Sequence, residues 1–120
     1  MNDNSLFFLC SLIEFIGRQQ KQRRGRIVEL LGENVIKRIY DYADVFHCEP
    51  IEKVADDFIL RCQIPMDDYD NVKCCRYEVP DYWEIGEVYE RLIEDLKKSS
   101  GKEMIDCIKE VYASWISDAI

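Results

Sequence analysis

Residues 26–46, RIVELLGENVIKRIYDYADVF, constrain the fold of this chain more than any other stretch. Apolar side chains recur on almost every helical turn. Ile27, Leu30 and Leu31 line one short face; beyond Gly32, the residues Val35, Ile36, Ile39, Tyr42, Ala43 and Phe46 line another. A helix apolar this far round its circumference is normally buried by neighbours on several sides. The expectation is a central layer wrapped by other helices of the same chain.

The flanking sequence supplies those helices. Leu6, Leu9, Cys10, Ile13 and Ile16 follow a helical stripe and predict a helix over 5–18, with Asn4 or Ser5 to cap it. Phe7, Phe8, Leu12 and Phe15 widen the apolar face, so this helix is either deeply packed or part of an interface. A short helix over 25–31 ends at Gly32 as a left-handed residue. Asn34 then caps a helix over 35–47. One long helix through Gly32 is the alternative, at a cost of about 1 kcal/mol relative to alanine. Glycine followed closely by asparagine reads as a stop and a start, which favours two helices.

Pro50 suits the first turn of the next helix, where Ile51, Val54, Ala55, Phe58, Ile59 and Cys62 keep helical spacing. Residues 63–79 lose the period. Pro65 and the run DDYDN are loop chemistry, and a short extended segment at 72–79 has no obvious mate. Asp81 and Glu84 stand at capping-box spacing. They open a stripe of Ile85, Val88, Tyr89, Leu92, Ile93 and Leu96, which ends in Lys97 and Lys98, where the helix dipole favours cations. Ser100 and Glu103 form a second such pair ahead of a last helix carrying Met104, Ile105, Ile108, Val111, Tyr112, Trp115 and Ile116. With only three prolines and five glycines, the chain has few of the tight turns that strands need. These signals together predict an all-α fold, a compact bundle of five or six helices with an irregular loop at about 63–79. A length of 120 residues suits a single helical domain over 1–120.

The net charge of −8 disfavours nucleic acid and anionic lipid as partners. The charge is uneven, however. Arg18, Lys21, Arg23, Arg24 and Arg26 lie close together with no acid among them. Their guanidinium groups could converge on a phosphate or an acidic partner, or form a solvated loop that balances the acidic surface. A helix-turn-helix reading meets Glu33, Asp41 and Asp44 on the element that would face the duplex; recognition helices are usually more basic. No secretory signal is visible, and the apolar run at 6–16 is too short to span a membrane. The expected location is cytoplasmic, with the six cysteines reduced.

Chemistry is sparsely represented. The lone histidine, His47, adjoins Cys48, and Cys62, Cys74 and Cys75 could complete a tetrahedral zinc site. Their spacing matches no ribbon or finger, and adjacent residues of a regular helix cannot readily face one ion. The vicinal pair Cys74 and Cys75 lacks the C-x-x-C arrangement of redox sites. No nucleophile elbow, zincin motif or phosphate-binding glycine loop occurs. No catalytic residue, metal or cofactor is expected. Phe7, Phe8, Tyr82, Trp83, Tyr112 and Trp115 exceed what the helical stripes require. That surplus predicts a non-catalytic module that binds another protein or itself. A nucleic-acid-associated regulator using the basic cluster is the alternative.

Over about residues 5–60 the chain resembles a small all-helical family of unknown function from gut Firmicutes. Tyr40, Asp44, Val45, Phe46 and His47 carry the likeness, at the end of one helix and ahead of an amphipathic, aspartate-rich one. Genes of that family often lie beside one for an ADP-ribosyltransferase-like protein. The resemblance implies a companion protein in a toxin–antitoxin-like or mobile-element module, and it implies no catalytic residue.

Overall fold

In the computed structural model, which describes residues 4–69 and 81–113, the most deeply buried element is the first helix. α1 (Asn4–Gln20) buries Leu6, Leu9, Leu12, Ile13 and Ile16 completely, together with Phe8, Cys10 and Ser11. These residues lie on more than one face, so α1 has neighbours around most of its circumference. They are α2 (Arg24–Leu31), α3 (Glu33–Asp41), α4 (Ala43–Phe46), α5 (Ile51–Cys62) and α6 (Tyr82–Ser100). The most extensive seam is with α6. α7 (Met104–Ala113) packs across α2, α3 and α6 and closes the bundle. The architecture is all-α, with no strand among the described residues.

The centre of the bundle is therefore α1 and not the segment at 26–46. That segment is interrupted twice, and its apolar residues are shared among three short helices with different facing sides. Within α3 only Ile36 and Ile39 are buried, while Tyr42 and Val45 are 56% and 61% exposed. The first interruption is the predicted one. Gly32 has φ 81° and ψ 160°, a region essentially restricted to glycine, and its amide donates to the Val28 carbonyl. It is also the N-cap of α3, so Asn34 lies inside the first turn and does not cap it. The second interruption, at Tyr42 (φ −112°, ψ 19°), carries no glycine or proline signal and splits the helix predicted over 35–47 into α3 and α4. That split raises the number of helices to seven among the described residues.

Local chemistry sets several other boundaries. Pro50, expected in the first turn of α5, stands just ahead of it as its N-cap residue. Asp81 and Glu84 form a reciprocal capping box at the start of α6. The second box does not form: Ser100 belongs to the last turn of α6, where its hydroxyl donates to the Leu96 carbonyl and accepts from the Lys102 amide.

The described part of the loop after α5, residues 64–69, is tied to the α1–α2 turn. Gln20 and Gln22 side chains donate to the Ile64 and Pro65 carbonyls, each at 2.9 Å. The amides of Asp67 and Tyr69 donate to the Gln20 and Lys21 carbonyls at 2.9 and 3.1 Å. The extended segment predicted at 72–79, Trp115 and Ile116 lie outside the described residues.

One end of the core is aromatic. Tyr89 of α6 and Tyr112 of α7 stack with ring centroids 4.4 Å apart. Burial, then the neighbouring Cys10 thiol and Tyr89, push the Tyr112 phenol well above the ordinary tyrosine range. A raised folded-state pKa means stability that is complete below the unfolded value of about 10 and is lost as pH rises beyond it. Thermal melts at about pH 8 and about pH 11, on either side of that value, should show a larger loss for the wild type than for Tyr112→Phe. Equal losses in the two proteins would remove Tyr112 as the cause.

Candidate functional site

The basic cluster turns on a residue that its own sequence window does not contain. Glu14 sits on α1 and is only 1% exposed. One turn later, Arg18 donates from Nε to Glu14 Oε1 at 2.9 Å. The turn at 21–23 then brings α2 back so that Arg24, its first residue, meets the same carboxylate. Arg24 donates from Nε to Oε2 and from an Nη to Oε1, a two-pronged pairing that fixes the guanidinium plane. Its guanidinium also lies 5.5 Å from the centroid of the Tyr89 ring. Burial alone would lower the Arg24 pKa; the hydrogen bond and charge of Glu14, aided by Tyr89 and Tyr112, outweigh it and raise the value. Arg24 is thus a permanent cation held inside the protein by a buried carboxylate.

The remaining members diverge. Arg23 lies over the Tyr69 ring at 4.5 Å, on the loop side. Arg26 pairs with Glu29 along the surface of α2 at 3.0 Å, and Lys21 is exposed. The five residues do not present a single outward-facing anion site. Arg24 clamps α2 to α1 through Glu14, and Arg18 braces the same carboxylate from within α1. The signal that could have revealed this is Glu14 itself, the one charged residue between Asn4 and Gly17 and set directly among apolar positions.

A second candidate lies at the opposite end of α1. Phe7 and Phe8 of α1, Ala43 and Asp44 of α4, the following His47, and Trp83 of α6 line a groove of about 490 Å³, with Asn4 and Ser5 at its edge. Phe7 and Trp83 of its lining belong to an aromatic row that continues beyond it. Phe15 meets Tyr82 edge-on at 5.1 Å, Tyr82 touches Trp83 at 5.1 Å, and Trp83 stacks on Phe7 at 5.6 Å with planes 12° apart. The capping box places Tyr82 and Trp83 in the first turn of α6, directly over the start of α1. Trp83 stays 37% exposed. Of the six aromatic residues predicted to be surplus, Phe8 and Tyr112 are core residues, at 4% and 2% exposed. Among the described residues the others are Phe7 and Tyr82, half-buried, and Trp83, exposed, and these three are together.

The residues that carry the family resemblance divide around α4. Asp44 and His47 line the groove, whereas Val45 and Phe46 border a separate hollow with Arg38 and Tyr42. Tyr40 lines a third depression, between α3 and α7. The zinc candidates do not converge: among the described residues, no group of three or more His, Cys, Asp or Glu side chains is placed to hold a metal ion. Cys48 is exposed and donates to the Asp44 carbonyl at 3.4 Å; Cys62 is half-buried, and burial raises its thiol pKa against the opposing effect of Arg61. Cys74 and Cys75 lie outside the described residues. No helix among the described residues is long and apolar enough to cross a membrane. No family model, curated protein or solved structure matches the chain.

Proposed function

We propose that the protein is a non-catalytic interaction module that receives a partner protein in the groove between α1, α4 and α6. The observation that carries this reading is the Phe7–Trp83 stack, held open to solvent beside a cavity of about 490 Å³. Tryptophan is the side chain most enriched among residues that dominate binding energy, above all where it lies in a shaped recess. The location of Asp44 and His47 on the same groove supports the companion role that the family resemblance implies, in a toxin–antitoxin-like or mobile-element module. Among the described residues Cys10, Cys48, Cys62 and Cys107 form no disulfide, which fits the cytoplasmic residence expected from the sequence. The nucleic-acid reading gains no such support, since Arg18 and Arg24 are engaged on Glu14.

The test is a binding measurement with the product of the neighbouring gene, comparing wild type with Trp83→Ala. Loss of a central anchor costs at least about 2 kcal/mol, a fall of about thirtyfold in affinity. Circular dichroism of the variant establishes that the bundle is intact. Undiminished binding by a folded Trp83→Ala protein would remove the groove from the interaction.

A further inference from the structure

We infer that the partner of this groove is a positively charged segment with a bulky apolar anchor, a Lys/Arg-rich amphipathic stretch of another protein. The inference rests on the groove being the docking site and adds the chemistry of what docks.

The residues that line the groove include no lysine or arginine, and neither do the stretches 4–17, 39–52 and 81–90 around them. They do contain acids at the surface. Asp44 lines the groove itself. Asp81 and Glu84 flank Trp83 in the chain at the start of α6, both exposed. The cations that bound these segments are engaged locally: Lys53 with Glu49 at 3.5 Å and Arg91 with Glu87 at 2.7 Å. Arg38 borders the hollow on the other side of α4. The carboxylates of Asp81 and Glu84 accept backbone N–H groups in the capping box yet keep their charge. The α6 N-terminus offsets about half a unit of it.

The apolar wall therefore stands inside an anionic rim, on a protein whose net charge is −8. Complementary potentials steer encounter and exclude wrong partners. A second copy of this chain would bring the same acidic rim against itself. Anionic lipid and nucleic acid meet the same repulsion. A basic segment gains from the rim while its anchor fills the recess beside Phe7 and Trp83.

A library of random peptides displayed on phage, selected on the whole protein and counter-selected on Trp83→Ala, reads the chemistry directly. The expected pool has an aromatic or large aliphatic residue among several Lys/Arg. Its members should bind Trp83→Ala and Asp44→Lys at least about tenfold more weakly than wild type. Affinity should fall with salt. Asp44 is exposed, so its variant provides a folded control should Trp83→Ala be unstable. A neutral or acidic pool that still requires Trp83 overturns the charge inference and leaves groove docking standing. A Trp83-dependent dimer in light scattering does the same. A pool indifferent to both variants, or no enrichment at all, overturns the inference, and indifference to Trp83→Ala overturns the docking site with it.

Discussion

Glu14→Ala is expected to cost about 3–5 kcal/mol of folding stability, the usual result of removing one partner from a buried ion pair. Glu14 is 1% exposed and Arg24 10%, so neither can turn to water for solvation. Without the carboxylate, Arg24 remains a cation against the Tyr89 ring, and its position at the start of α2 prevents it from swinging out. Arg18, at 21% exposed, can recover more of its hydration. The contrast is Arg26→Ala. Arg26 and Glu29 are 55% and 69% exposed, and a surface pair of this kind contributes at most about 1 kcal/mol. Urea titrations of the two variants should therefore differ several-fold in free energy although both remove an ion pair from the same cluster. The paired replacement Glu14→Leu with Arg24→Met should recover most of the loss, because apolar residues of similar volume avoid the desolvation that a buried pair must overcome. A Glu14→Ala protein within about 1 kcal/mol of wild type would show that Arg24 finds other compensation, and the clamp would lose its role.

That clamp also marks where the sequence could be followed and where it could not. Periodicity placed α1, α5 and α6 because each keeps one apolar stripe over several turns, and the Asp81–Glu84 box fixed the start of α6 by a purely local bond. What ranks the helices in space is non-local. Apolar content within a window points to 26–46 as the centre, whereas the centre is decided by which helix has neighbours on every side. α1 meets that condition because it carries a single charge between Asn4 and Gly17 and buries it on two arginines. The Tyr42 break has no local signature, since a tyrosine at φ −112° is ordinary backbone. The basic cluster is ambiguous in sequence for a related reason. A run of arginines has the same appearance in sequence whether its counter-charge is a ligand or a buried glutamate ten residues upstream of Arg24. The groove was half legible: the aromatic surplus was visible, but only the packing of α6 on α1 separates Phe7 and Trp83, at the surface, from Phe8 and Tyr112, in the core.

The packing of α6 on α1 leads to the other large effect, expected from Gly86→Ala. A Cβ at Gly86 would lie 2.1 Å from Ser11 Oγ, 2.8 Å from Ser11 N and 2.9 Å from Ser11 Cα. The hydroxyl can rotate away. The nitrogen and Cα cannot, because they belong to the backbone of α1 in mid-helix. α1 cannot retreat either, with α2, α3 and α5 packed on its other sides. The two helices must part along their longest seam, and overpacking of this kind costs about 1–3 kcal/mol or more. Alanine returns about 1 kcal/mol through helix propensity, so a net loss of up to about 2 kcal/mol is expected. Adding Ser11→Gly removes only the hydroxymethyl contact and should restore little. The displacement has a second consequence, because Trp83 stands one turn before Gly86 and Phe7 one turn before Ser11. Parting the seam at Gly86 moves the Phe7–Trp83 stack that walls the groove. Near-ultraviolet circular dichroism should register that movement in the folded variant, and partner binding should weaken with it. A Gly86→Ala protein that melts at or above the wild-type temperature would mean that the α1–α6 approach is looser than 2.8 Å implies, and the groove would then rest on a less rigid base.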